Sequence, residues 1–144
     1  MVRRVRPVRQ KMLELTVQRR LRKLLEQKGC KIIWDSIAKY EFFEPMLING
    51  ERTLALLGSF EGTRIDMVAK RKRTEYLFEV KRDLNNPKSI IKQCVRYAIN
   101  LNGPVHLVVG NDIEAERMKQ FQSKIDGLPI ILLNLGEIKE TKLE

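Results

Sequence analysis

The residues of this chain best suited to chemistry are two acids and a lysine. The runs Arg64-Ile65-Asp66-Met67-Val68-Ala69 and Glu75-Tyr76-Leu77-Phe78-Glu79-Val80 flank the polar, cationic stretch Arg71-Lys72-Arg73-Thr74. Short runs rich in β-branched and aromatic residues around a polar break read as a β-hairpin. A turn centred between Lys72 and Arg73 pairs Met67 with Phe78, Asp66 with Glu79, Ile65 with Val80 and Arg64 with Lys81. One bulge would change that register. Because side chains alternate along a strand, Ile65, Met67, Phe78 and Val80 are expected on a core face and Asp66, Glu79 and Lys81 on the opposite one.

Opposed cross-strand residues have Cβ atoms roughly 4.5–5.5 Å apart, and like charges facing each other there are destabilising. A divalent cation would compensate. Mg²⁺ prefers one or two carboxylates, with water and substrate phosphate filling its other positions. It lowers the pKa of a water it holds and neutralises charge building on a phosphate, and Lys81 could stabilise the same charge. These are the parts of a phosphodiester-cutting site. The same residues also read as a solvated hairpin face on which Arg64, Lys81 and the acids simply pair, and the D…ExK spacing alone does not separate the two.

Ile65-Asp66 followed by Glu79-Val80-Lys81 on the next strand resembles the core of the PD-(D/E)XK nuclease superfamily, whose fold is restriction-endonuclease-like. The position that is usually proline there is Ile65 here, a departure the superfamily tolerates. Gln93 and Tyr97 match the Q-x-x-x-Y element of its RecB-like members, and Glu14 is similar to the helix-borne glutamate of archaeal Holliday-junction resolvases. The resemblance covers roughly residues 12–110. It implies Asp66 and Glu79 as Mg²⁺ ligands (with Mn²⁺ able to substitute), the backbone carbonyl of Val80 as a further ligand, Lys81 acting on the reacting phosphate, and Glu14 and Gln93 as further members of the site.

In Pro87 to Leu101 the apolar residues Ile90, Ile91, Cys94, Val95, Ala98 and Leu101 follow helical spacing, with Pro87 suited to a first turn. Lys88, Lys92 and Arg96 recur every fourth residue and make a cationic stripe fit for a run of phosphates. Gln93 lies between the stripes. Tyr97 lines up with Ile90, Cys94 and Leu101, which makes it a core aromatic on spacing and a nucleic-acid contact only on the resemblance. A first helix is expected over Gln10 to Lys28, with Leu13, Val17, Leu21, Leu24 and Leu25 on its apolar side and Gly29 as its stop. Glu14, one position from the stripe edge, is free either to reach a metal or to pair on the surface.

The charge balance points the same way. A net charge of +10 and a pI near 9.9 are the electrostatic footprint of a protein that meets polyanions, with DNA the leading partner. Surface ion pairing could explain 32% charged residues, but balanced pairs would not leave that surplus. At 144 residues the chain amounts to one domain, expected over residues 12–144 after a basic, flexible or extended arm, residues 1–11, carrying Arg3, Arg4, Arg6 and Arg9. Such arms lie along phosphate backbones and order on contact. No apolar run approaches the ~20 residues that span a bilayer, and the N-terminus lacks a secretory pattern.

Cys30 and Cys94 form no C-x-x-C pair, and His106 is the single histidine, set in the apolar run Pro104 to Val109. Zinc, iron–sulfur and histidine-based mechanisms therefore lack their parts, and the cysteines read as reduced core residues of an intracellular protein. No Gly-rich phosphate loop or dinucleotide fingerprint is present, so no small-molecule cofactor is expected. Cys30 to Trp34 reads as a strand, and Asn49-Gly50 between Met46-Leu47-Ile48 and Leu54-Ala55-Leu56-Leu57 as a hairpin turn. Pro104 to Val109 and Leu128 to Leu135 read as strands buried on both faces, with a helix carrying Met118, Phe121 and Ile125 between them.

The expected fold class is α/β, a restriction-endonuclease-like core in which a mixed β-sheet is flanked by helices. The expected function is a Mg²⁺-dependent DNA endonuclease of repair, recombination or branched-DNA processing, acting as a homodimer because two copies offer two cuts. A non-catalytic DNA-binding module would keep the basic surface while its acids balanced arginines. A subunit of a larger repair or transposition complex would be inert alone.

Overall fold

The computed structural model describes residues 5–37, 46–48, 51–53 and 59–141, with side chains over 14–37 and 59–141. Arg3, Arg4 and the segments 38–45 and 54–58 lie outside them, and so do Asn49, Gly50 and the expected strand Leu54 to Leu57. In chain order the elements are α1 (Val5–Gln27), β1 (Lys31–Asp35), β2 (Met46–Ile48), β3 (Glu51–Thr53), β4 (Met67–Arg71), β5 (Thr74–Lys81), α2 (Pro87–Leu101), β6 (Val105–Val109), α3 (Ala115–Lys124), β7 (Ile130–Asn134) and α4 (Leu135–Glu140). Five strands form one mixed sheet in the order β1-β4-β5-β6-β7, with β1, β4 and β5 antiparallel and β5, β6 and β7 parallel. This is an α/β fold with helices on both faces of the sheet. The short strands β2 and β3 pair antiparallel with each other, Ile48 opposite Glu51.

The hairpin register follows from its two-residue turn. Arg71 pairs with Thr74 and Met67 with Phe78, and Lys72 takes φ 57° at the first turn position, the backbone sign that lets two-residue hairpin loops match strand twist. The ladder stops at Met67, however, so Arg64, Ile65 and Asp66 are not strand residues and Arg64 does not pair with Lys81. The chain is pulled aside by β1: the Trp34 indole donates to the Ile65 carbonyl at 2.8 Å and the Ser36 N–H to the Asp66 carbonyl at 2.9 Å.

Burial also departs from the expectation of one core face and one open face. On one side α1 and α4 cover Met67, Ala69, Phe78, Val80 and Val108 with Leu21, Leu25, Leu135 and Ile138. On the other side α2 and α3 cover Val68, Leu77 and Leu107 with Ile90, Cys94, Tyr97 and Phe121, and Ile65 joins this cluster rather than that of Met67. The departure of Ile65 is the side-chain consequence of the chain leaving the ladder at Asp66. β6 is buried at all five positions, whereas Ile131 of β7 is 41% exposed. β7 is an edge strand, so its apolar run is not buried on both faces as expected.

Helix α1 begins at Val5, so residues 5–11, Arg6 and Arg9 among them, are helical and not an extended arm. Pro7 sits in the first turn, where N–H groups have no intrahelical acceptor, and so does not interrupt it. The helix ends in a Schellman arrangement: Cys30 N–H bonds the Leu25 carbonyl, Gly29 N–H bonds that of Glu26, and Gly29 adopts φ 85°. α2 spans Pro87–Leu101 as its spacing predicts. His106 is buried, with Nδ1 3.2 Å from the Leu77 carbonyl and its ring beside Phe78, a structural role. Cys30 and Cys94 are free and buried. Among the described residues no helix is long and apolar enough to cross a membrane.

Candidate active site

The acids meet where β4 breaks off beside β5. The backbone N–H of Val80, which has no β4 partner at that level, donates to Asp66 Oδ2 at 2.8 Å. Reciprocally, Asp66 N–H donates to Glu79 Oε1 at 3.2 Å. Each carboxylate is thus held by a backbone N–H of the opposite segment. Lys81 Nζ lies 3.7 Å from Glu79 Oε2.

Glu79 is 2% exposed, and burial followed by the neighbouring Asp66 charge pushes its carboxyl well above the ordinary range. Burial raises Asp66 as well, with the hydrogen bonds from Glu79 and Val80 and the Lys81 charge pulling the other way. Two acids that resist sharing negative charge at one spot are a characteristic arrangement of functional sites.

Glu14 reaches the same place from α1. Its Oε1 accepts from Arg82 N–H at 3.5 Å; burial raises its carboxyl, while Lys81 lowers it and Asp66 raises it further. One turn on, Gln18 is 3% exposed and its Nε2 lies within hydrogen-bond distance of Asp35 Oδ1 at 2.9 Å, Ser36 Oγ at 3.0 Å and the Asp66 carbonyl at 2.9 Å. One further turn brings Arg22, whose Nη1 donates to Asp35 Oδ2 at 2.9 Å. Gln18 is the site residue that sequence reasoning missed. Its signal was the spacing Glu14, Gln18, Arg22, one polar line every fourth residue along the helix.

From the other face, α2 places Tyr97 and Cys94 against Glu79. Gln93 Nε2 donates to the Tyr97 hydroxyl at 3.0 Å, so the Q-x-x-x-Y residues are joined on one helix face. Tyr97 is 5% exposed and is not a surface contact for nucleic acid. Its apolar line on α2 turns it into the core, and burial, then the Glu79 charge, raises its hydroxyl. The structure gathers Asp66, Glu79, Val80, Lys81 and Glu14 and sets Gln93 behind them through Tyr97. Arg64, Lys88, Lys92 and Arg96 are exposed, Arg96 lying 5.8 Å over the Tyr97 ring.

The donor set suits a hard dication. In an extended strand the N–H and C=O of one residue point to the same edge, so the Val80 carbonyl opens toward Asp66. Two carboxylates and a carbonyl are what Mg²⁺ takes from a protein when it keeps several waters. Among the described residues no three His, Cys, Asp or Glu side chains converge to enclose an ion; Glu14 stands further off than the touching pair. No protein-family model, curated protein or solved structure matches the chain.

Proposed function

We propose that the chain is a Mg²⁺-dependent DNA nuclease built on a restriction-endonuclease-like PD-(D/E)XK core. The observation that carries the reading is the reciprocal clasp of Asp66 and Glu79 across the broken end of β4, with Lys81 beside it.

Asp66, Glu79 and the Val80 carbonyl would hold the ion, which when bound supplies a Lewis acid for the phosphate and activates water. The chain's own residues do the rest. The Val80 and Asp66 N–H groups fix both carboxylates, so that little reorganisation is needed when charge develops. The Lys81 ammonium, anchored near Glu79, offers its remaining donors to a phosphate oxygen. Glu14 bounds the site from α1, where its raised carboxyl can take up a proton from an attacking water. Gln18 holds the Asp66 backbone in place. A homodimer would present two such sites to the two strands of a duplex.

The test is to incubate wild type and Glu79→Ala with Mg²⁺ or Mn²⁺ on circular, linear and four-way-junction DNA. Cutting by wild type and none by the variant supports the reading. Intact substrate in every wild-type lane refutes it.

A further inference from the structure

A groove runs from Arg82, the residue after Lys81, along the side of α1 toward α4. It begins as a cleft of about 250 Å³ that includes Arg20, Arg82, Gly110 and Asp112 and continues as a hollow of about 370 Å³ that includes Lys23, Gln27 and Lys139. The two share Arg20, Asn111 and Leu135, so they are one surface. Its floor and wall are fixed. A Cβ at Gly110 would come within 2.8 Å of Asp112 Oδ1 and 3.7 Å of Val17 Cγ2, and Gly136 N–H ties α4 to Asn111 Oδ1 at 2.7 Å.

The charge of this groove is one-sided. Its single acid, Asp112, is engaged by Arg82 Nη1 at 3.4 Å. Arg20, Lys23 and Lys139 are exposed, and among the described residues no acid lies within ion-pair distance of any of them. Arg20 and Lys23 are neighbours on one face of α1. At its inner end stands Arg82, whose N–H bonds Glu14. The expected cationic stripe, Lys88, Lys92 and Arg96, lies on α2, across the sheet from this groove.

We infer that this groove, rather than the α2 stripe, holds the sugar–phosphate backbone of the DNA strand led to Asp66 and Glu79, with phosphates on Arg20, Lys23 and Lys139. The inference rests on the nuclease reading for the identity of the polyanion. A fixed, open groove whose exposed cations have no acid within ion-pair distance among the described residues binds phosphates without reading sequence.

Anisotropy of a labelled linear duplex, titrated in EDTA over a series of salt concentrations, tests it with two triple variants: R20Q/K23Q/K139Q in the groove and K88Q/K92Q/R96Q on the stripe. All six side chains are exposed, and circular dichroism melts confirm that each variant folds. The groove variant should bind about tenfold or more weakly near 0.1 M salt, with the log–log salt slope reduced by about 0.9 per lost contact, about 2.7 in all. The stripe variant should stay close to wild type. Wild-type binding by the groove variant, or a larger loss in the stripe variant, overturns the inference. Groove-dependent binding without any metal-dependent cutting would leave the groove standing and sink the nuclease reading. Wild type that sediments with anionic vesicles but does not bind duplex overturns both.

Discussion

Replacing Glu79 by Gln should make the metal-free protein more stable at pH 8 while abolishing cutting. Two like charges ~4 Å apart repel by roughly 4 kcal/mol at the effective dielectric of a protein site, and burial adds the cost of stripping water from both carboxylates. A glutamine keeps the Oε1 acceptor for Asp66 N–H and offers Asp66 an N–H₂ donor where wild type offers a second anion. The loss is the Lys81 contact at 3.7 Å, whose lysine is 24% exposed, worth about 1 kcal/mol or less. A net gain on the order of 1–3 kcal/mol follows. The gain must depend on pH. Both acids are raised in the folded state, so above the ordinary carboxylate range the unfolded chain has released protons that the folded chain still holds. Wild-type stability from this pair is complete below that range and is lost as pH rises through the folded values. The Glu79→Gln advantage should therefore be smallest at about pH 4 and grow as pH rises from there toward 8. Urea unfolding of both proteins across that interval, with EDTA, reads it directly. Saturating Mg²⁺ should reverse the order, since a ligand at a hundred times its Kd stabilises by about 2.7 kcal/mol and the variant lacks one of the proposed carboxylate ligands. A variant less stable than wild type at pH 8 in EDTA, or a difference flat in pH, would refute the claim that the pair is strained by its own charge.

Gln18→Ala removes a buried donor from Asp35, Ser36 and the Asp66 carbonyl and should destabilise by about 2–4 kcal/mol in urea unfolding. It should also raise the Mg²⁺ concentration needed for half-maximal cutting, while Gln18→Glu should not restore either property. His106 is held below its ordinary 6.5 by burial, so its contribution is complete above that value and is lost as pH falls through the folded one. His106→Gln should flatten the acid limb of the stability profile below about pH 6.5. The Cys94 thiol is pushed up to about 12 by burial and then by the Glu79 charge, so it should resist alkylation by iodoacetamide at pH 8 until urea unfolds the chain, as mass spectrometry would show. Faster labelling of Cys94 than of Cys30 in the native protein would contradict this placement.

The parts of the fold legible in the sequence are those fixed by local chemistry. The hairpin register came from where the polar turn falls, and Met67 does face Phe78. Helix α2 came out at Pro87–Leu101 because its apolar spacing starts at a proline and ends before the Asn102-Gly103 pair. What was not legible depends on partners distant in sequence. Nothing near Ile65 announces that Trp34 and Ser36 will take its carbonyl and that of Asp66 and so end the strand. Nothing in Ile130 to Asn134 says that the strand will be an edge. Gln18 is not legible as a site residue because an amide on a basic helix looks like a surface partner for Glu14. Only the meeting of α1 with the end of β1 makes it a buried hub.

The cost of the site is concentrated in a few residues, and that concentration is itself an argument for function. Many elements of the described chain obey the ordinary rules: apolar stripes face the sheet, the α4 terminus carries a reciprocal Asn134–Glu137 cap, and α1 stops at a left-handed glycine. Around Asp66 three rules are broken together. A strand loses its ladder early, a backbone N–H is given to a carboxylate in place of a carbonyl, and a buried glutamate is set against a half-buried aspartate with one lysine nearby. Hydrophobic residues of similar volume at positions 66 and 79 would remove the charge cost. Several breaches gathered around one pair of acids are the pattern expected where a defect is used. Both adjoining helices also spend polar residues on it, Glu14 and Gln18 from one face and Tyr97 with Gln93 from the other. A hairpin whose acids merely balanced neighbouring arginines would need none of these four, and would leave Glu79 at the surface instead of 2% exposed.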